Sequence, residues 1–356
     1  MHRLLLALAF VAPPVDAAPG HLPKTNAITS PAIVAQQTAS PGLTVALILP
    51  VNAGGITARA AVGFYEECQS VQNASEKGNG KDAKFLLYAT DGKKQAVVET
   101  YRTAAQNGAD VIIGPLLREN VAALIEKIPD APVPTLLLQP GAGGNYYFLT
   151  AEAGREAAEL AELIIAAKAT EVVIVLQKSD LASRQMNAFS VRWLQISGKI
   201  PDIFRPDDAG WTALFERHRD AAEDGRRIAV FAAGDAAFAR RTRNFTPSYH
   251  PVFAGSFSYD GAAFADNIYM MVMPQLLTPP ADGDSEVVRR FRALGNDVCH
   301  LALRVDLWAG GFVYDGKSGD ILLKLNGKEF RRRGVLARQR GGRLQKAPPL
   351  SRLFAQ

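Results

Sequence analysis

Leu43-Thr44-Val45-Ala46-Leu47-Ile48-Leu49, closed by Pro50, is an apolar strand that does not alternate. A strand with one wet face reads apolar–polar–apolar; a continuous run argues for cover on both faces. The glycine turn Gly54-Gly55 leads into a helix through Ala60, Phe64 and Cys68. Further strands follow at Phe85–Tyr88, Asp110–Ile113 (ended by Gly114-Pro115) and Val133–Leu138, with helices over about 93–107 and 117–128. Short apolar strands separated by helices predict a parallel sheet wound on both sides.

The pattern then repeats. Helices are expected over 152–168, 182–197, 211–222 and 235–243, with strands at Val172–Leu176, Ile228–Phe231, Val252–Ala254 and Ile268–Met273. The fold class is α/β, with two doubly wound parallel-sheet lobes. Two helices over Glu286–Gly310 precede a hairpin, Ile321–Leu325 and Glu329–Arg333, turned by Asn326-Gly327. A short strand near Val335–Arg338 follows. The expected organisation is a signal peptide over 1–18 and a Pro/Ala/Ser/Thr-rich linker over 19–42. Lobe 1 takes 43–150 plus about 284–345, lobe 2 takes 151–283, and 346–356 is a tail.

The 356 residues are 48% hydrophobic and 21% charged, enough for sizeable cores, and carry a net charge of +5. That mild basicity permits contact with anionic surfaces without demanding nucleic acid. His2 and Arg3 precede the apolar run Leu4–Val11, and Val15-Asp16-Ala17 supplies small residues for processing. The run is too short to span a bilayer. No cysteine lies near the processing site, no later segment reads as transmembrane, and the expected location is the periplasm. Cys68 and Cys299 fit either a disulfide or two buried thiols.

Catalytic patterns do not emerge. His2, His21, His218, His250 and His300 are scattered and match no metal spacing. There is no phosphate-binding P-loop, and Gly255-Ser256-Phe257-Ser258 lacks the second glycine of a nucleophile elbow. Gly141-Ala142-Gly143-Gly144 reads as a flexible turn between two strands. Glu66, Glu67, Asp207, Asp208, Asp282 and Asp284 are expected on solvated surface. The expectation is a binding protein, not an enzyme, with no cofactor and no metal. Ligands of wound sheets bind beyond the carboxyl ends of strands. Asn52, Gly54, Pro115, Leu116, Arg118, Gln139, Gly141, Ser256 and Tyr259 are the cleft candidates. The basic run at Arg331, Arg333, Arg338 and Arg340 is either an anion-facing patch or an edge strand protected by charge.

Residues 43–345 resemble the type I periplasmic-binding superfamily, whose fold is that of Leu/Ile/Val-binding proteins. Within it they are most similar to the penicillin-binding-protein activator family, LppC or LpoA. The anchors are Val45–Pro50, Val111–Leu116, Val133–Leu136, Ala188-Phe189 through Trp193 to Gly198, and Pro251–Ser256. Ala293-Leu294-Gly295-Asn296-Asp297 and Leu301-Ala302-Leu303, ahead of the hairpin, are the most specific. The resemblance implies a cell-wall regulator that contacts a peptidoglycan synthase or another envelope protein. The family's lipidated cysteine and helical-repeat domain are expected to be missing. The alternative is a solute receptor for an ABC transporter of amino acids or similar small ligands. The superfamily's amino-acid-holding hydroxyls are missing from the loops at Pro115–Arg118 and Gln139–Gly144. The resemblance also implies that the first and late helices share a lobe, which brings Cys68 near Cys299 and favours the disulfide.

Overall fold

Strand β1 (Leu43–Leu49) runs between two parallel neighbours, and its side chains divide between two cores. Val45, Leu47 and Leu49 face one; Ala46 and Ile48 face the other. This is the two-sided burial that a continuous apolar run requires. The computed structural model describes residues 42–77, 82–141, 143–149, 153–206, 210–217, 225–260, 267–279 and 284–354, and Ala39–Gln356 forms one compact unit. The expected signal peptide and nearly all of the linker lie outside the described residues, as do Asp207, Asp208 and Asp282.

The first half continues through α1 (Gly55–Lys77), β2 (Ala83–Ala89), α2 (Lys94–Gln106), β3 (Val111–Ile113), α3 (Arg118–Lys127), β4 (Thr135–Leu137) and β5 (Tyr147–Leu149). The second contains α4 (Ala153–Ala166), β6 (Glu171–Leu176), α5 (Asp180–Ser197), β7 (Asp202–Phe204), α6 (Trp211–Arg217), β8 (Ile228–Ala233), α7 (Ala236–Phe245), β9 (Val252–Ala254) and β10 (Ile268–Val272). Last come α8 (Glu286–Ala302), β11 (Phe312–Gly316), β12 (Gly319–Leu323), β13 (Glu329–Arg333), β14 (Val335–Arg340) and β15 (Arg343–Lys346). The first sheet has the order β11-β12-β13-β5-β4-β3-β1-β2, and the second β15-β14-β10-β9-β8-β6-β7. Both are parallel except for the antiparallel strands added after α8.

The C-terminal expectation needs correcting. The hairpin β12–β13 extends the first sheet, where β13 lies parallel to β5. Val335–Arg340 and Arg343–Lys346, expected in lobe 1 and the tail, instead extend the second sheet beside β10. The chain changes sheet at Gly334, where a Cβ would sit 2.7 Å from the Val272 carbonyl oxygen. The second of the two helices expected over Glu286–Gly310 is only a short 3-10 turn, Val305–Leu307. Strands β5 and β7 span three residues each, too few to show a period.

Helices α1 and α8 pack closely on the first sheet. Gly295 makes this possible, because a Cβ there would lie 2.6 Å from the Phe64 carbonyl oxygen. One turn further along each helix, Cys68 and Cys299 are joined as a disulfide with Cα atoms 5.4 Å apart. The link bridges 231 residues of sequence, and in a chain-entropy treatment such a loop contributes about 5 kcal/mol. Replacing both cysteines by alanine should lower the unfolding free energy in urea by about 3–5 kcal/mol. An unchanged denaturation midpoint would contradict this.

Candidate functional site

Helix α4 packs its Ala157, Leu160, Ala161 and Ile164 against the second sheet. Its first turn carries Glu156 into the seam between the two sheets, where it is 6% exposed. There the carboxylate accepts the Ser256 backbone N–H at 3.1 Å and the Ser256 hydroxyl at 2.7 Å. It also accepts Arg332 Nη2 at 3.0 Å, and Arg332 donates Nη1 to the Ser318 carbonyl at 2.9 Å. Ser256 follows β9 of the second sheet, whereas Arg332 is the middle of β13 in the first. One buried ion pair therefore clamps the lobes together. Arg290, on α8, donates to the carbonyls of Ser256 and Tyr259 and lies over the Phe257 ring at 5.4 Å.

Two recesses open beside this clamp. A cavity of about 350 Å³ lies between the lobes, lined by Arg118, Gln139 and Leu138 from the first and by Arg184 and Phe257 from the second, with Arg290 and Phe291 from α8. A wider groove of about 880 Å³ runs between α4–α5 and β11–β13, and Arg155, Arg184, Arg331 and Arg333 line it with Glu159, Glu162 and Asp320. Burial pushes the Glu159 carboxyl up to about 7, against the pull of Arg332, Arg155 and Arg333 and with the push of Glu156. No group of residues suited to holding a metal ion occurs among the described residues.

The expected cleft residues are dispersed. Arg118 and Gln139 line the cavity, and Gln139 Nε2 donates to the Leu116 carbonyl at 2.9 Å. Pro115 and Leu116 are buried, Leu116 within the first core. Tyr259 packs into the core of the second lobe. Ser256 is consumed by Glu156. Asn52, Gly54 and Gly141 are exposed outside the cavity lining, and Asn52 is held through its backbone N–H to Thr90. The cavity thus takes Arg118 and Gln139 from the expected set, while its other polar side chains, Arg184 and Arg290, come from α5 and α8.

The basic run also divides. Arg331 and Arg333 share the exposed face of β13 and line the groove, while Arg338 and Arg340 stand on β14 in the other sheet. Period two places Arg332 on the opposite, buried face. That alternation was a usable signal for Arg332; nothing local distinguishes Glu156 from the other glutamates of α4. The remaining carboxylates are not merely solvated. Glu66 and Asp284 both pair with Arg292, and Glu67 accepts from Lys317 and Asn296.

Residues 12–204 match the family described as "LppC putative lipoprotein". The penicillin-binding protein activator LpoA of Mannheimia succiniciproducens is 28% identical over 152 residues, 40% of this chain and 26% of that protein. The match thus spans about a quarter of the length of that curated relative. Among solved structures, the LpoA C-domain from Haemophilus influenzae superposes with a TM-score of 0.70 at 17% identity, over 86% of this chain and 100% of that one. A "putative branched-chain amino acid ABC transporter" structure from Chromobacterium violaceum gives 0.67 at 24% identity, covering 83% and 99%. Identities this low establish the two-lobed fold alone.

Arg332→Met leaves Glu156 buried without its countercharge, so unfolding stability should fall by about 3 kcal/mol in denaturant titration. Glu159 favours its protonated form in the fold. Stability due to this group is therefore greatest below its ordinary value of 4.5 and falls as pH rises from there to about 7. In Glu159→Gln the melting temperature should vary less with pH across that window and exceed the parent's above pH 7. An identical profile in the two proteins would count against the shift.

Proposed function

We propose that this chain, which belongs to the LppC family, regulates peptidoglycan synthesis in the periplasm by contact with a penicillin-binding protein and catalyses no step itself. Support comes from the fold shared with the LpoA C-domain and from the sequence match to an LpoA activator. The observation that carries the reading is the groove between α4–α5 and β13. It presents Arg331 and Arg333 on one strand face, with Arg155 and Arg184 opposite. The buried clamp behind it fixes the spacing of the two walls, so the surface is preformed, which lowers the ordering cost of association. Arg155 and Arg331 already bracket Glu329 of strand β13, a pairing of the kind a partner's carboxylate would make. A partner segment bearing Asp or Glu matches that charge, and such complementarity governs association rate and salt dependence.

Among the described residues lining the interlobe cavity there is no carboxylate to accept an ammonium. An amino-acid receptor for a transporter would place its substrate's amine there, so this feature favours the regulator.

The test is a binding titration of the purified chain against a penicillin-binding protein from the same organism, with the synthase rate followed in parallel. The Arg331→Glu/Arg333→Glu variant should bind roughly tenfold more weakly and lose most of its salt dependence. Absence of binding by the parent, with an unaltered synthase rate, would overturn the proposal.

A further inference from the structure

We infer that the free edge of strand β11 takes up an extended segment of a partner protein as an added strand, one that carries a Lys or Arg two residues from an apolar side chain. β11 (Phe312–Gly316) ends the first sheet, and among the described residues only β12 pairs with it. An edge strand presents unpaired N–H and C=O groups along its outer side, and folds ordinarily protect them. The other edges of the two sheets show such protection. On β2, the Phe85 N–H donates to the Gln72 side chain of α1 at 2.9 Å. β15 carries Arg343 and Lys346, both exposed. β7 is three residues long and lies between Pro201 and Pro206. β11 has neither a proline nor a basic residue over its five positions; its single charge is Asp315. Val313, at its centre, is an apolar side chain left 69% exposed.

Register fixes what the added strand must carry. On the exposed face, Val313 stands opposite Leu322 and Asp315 opposite Asp320. Leu322 in turn stands opposite Arg331, and Asp320 opposite Arg333. Two carboxylates therefore sit side by side at the edge, and like charges directly opposite weaken a strand pair. Arg333 is a countercharge on the inner side of that row. The outer side, beyond Asp315, is open, and a cation on the added strand answers it. Two residues along, the same face of the added strand meets Val313, beside the 38% exposed Leu322. An apolar side chain there takes both away from water. Main-chain pairing gives such a complex its affinity and the alternate side chains its specificity. A second copy of β11 brings no cation, so the charge pattern selects a different partner.

The inference goes beyond the groove reading. Val313 and Leu322 belong to the β wall of that groove, but the added strand is held by the outer backbone of β11 and needs none of the groove's arginines. The probe is the peptide acetyl-Thr-Val-Thr-Lys-Thr-Val-Thr-amide, whose valines stand two residues to either side of the lysine and so suit either strand direction. Titrated into the isotope-labelled full chain, it should shift the amide resonances of β11 saturably and slow their hydrogen exchange. Replacing the peptide's lysine by glutamate should weaken binding at least about fivefold, as a cross-strand attraction becomes a repulsion. Asp315→Lys should weaken the lysine peptide equally and bind the glutamate peptide as tightly as the parent binds the lysine one. That variant sets a cation opposite Asp320, so its melting temperature should not fall. Absence of any β11 shift at millimolar peptide would overturn the inference and leave the groove reading standing. Binding without slowed exchange in β11 would overturn strand addition. Equal affinity of the two peptides would overturn the charge rule. A dimer of the chain that Asp315→Lys dissolves would overturn the choice of occupant in favour of a second copy.

Discussion

A carboxylate taken out of water between two protein lobes must find its countercharge there. Glu156 is supplied from both sides, by the Ser256 amide and hydroxyl of one lobe and by the Arg332 guanidinium of the other. Removing one partner of such a pair costs more than the pair contributes to net stability. Its effect is therefore mainly on geometry: any slide of one sheet past the other strips Glu156 of Arg332. The pair ties α4 to β13 across the seam beside which both recesses open.

Helix α8 extends the same constraint through the first lobe. Gly295 lets it press on α1 at Phe64, Asn296 donates to Glu67, and Asp297 accepts the backbone N–H groups of Lys317 and Ser318 at 2.7 Å. Asp297 is fully buried, and burial pushes its carboxyl up despite those hydrogen bonds. Three consecutive residues thus join a helix crossing, a surface carboxylate and the β11–β12 turn. The disulfide closes the same crossing covalently. Gly295, Asn296 and Asp297 thus each answer a steric or hydrogen-bonding need.

The functional character follows from where positive charge is left once these needs are met. Arg332 and Arg292 are spent on internal carboxylates. Arg184 and Arg333 have no such partner among the described residues, and they face open recesses. Both recesses therefore carry guanidinium groups, beside Glu159, Glu162 and Asp320 in the wider one.

The sequence by itself determined the layer architecture. Unbroken apolar strands such as Val45–Leu49 and Val172–Leu176 can be buried only between helices, and burial period is a local property of the chain. It also determined the Asn326-Gly327 hairpin and, through alternation, the opposite facing of Arg332 and its neighbours. The three-residue strand β7 escaped, whereas β3, β4 and β9, equally short, were legible as buried apolar runs. The site also escaped. Glu156 and Ser256 are 100 residues apart and Glu156 and Arg332 are 176 apart. Nothing in either neighbourhood records which distant group will neutralise a charge. That choice is made only when the chain crosses back between the sheets, at Gly334 and into α8, and desolvation then selects the partner that geometry has brought within reach.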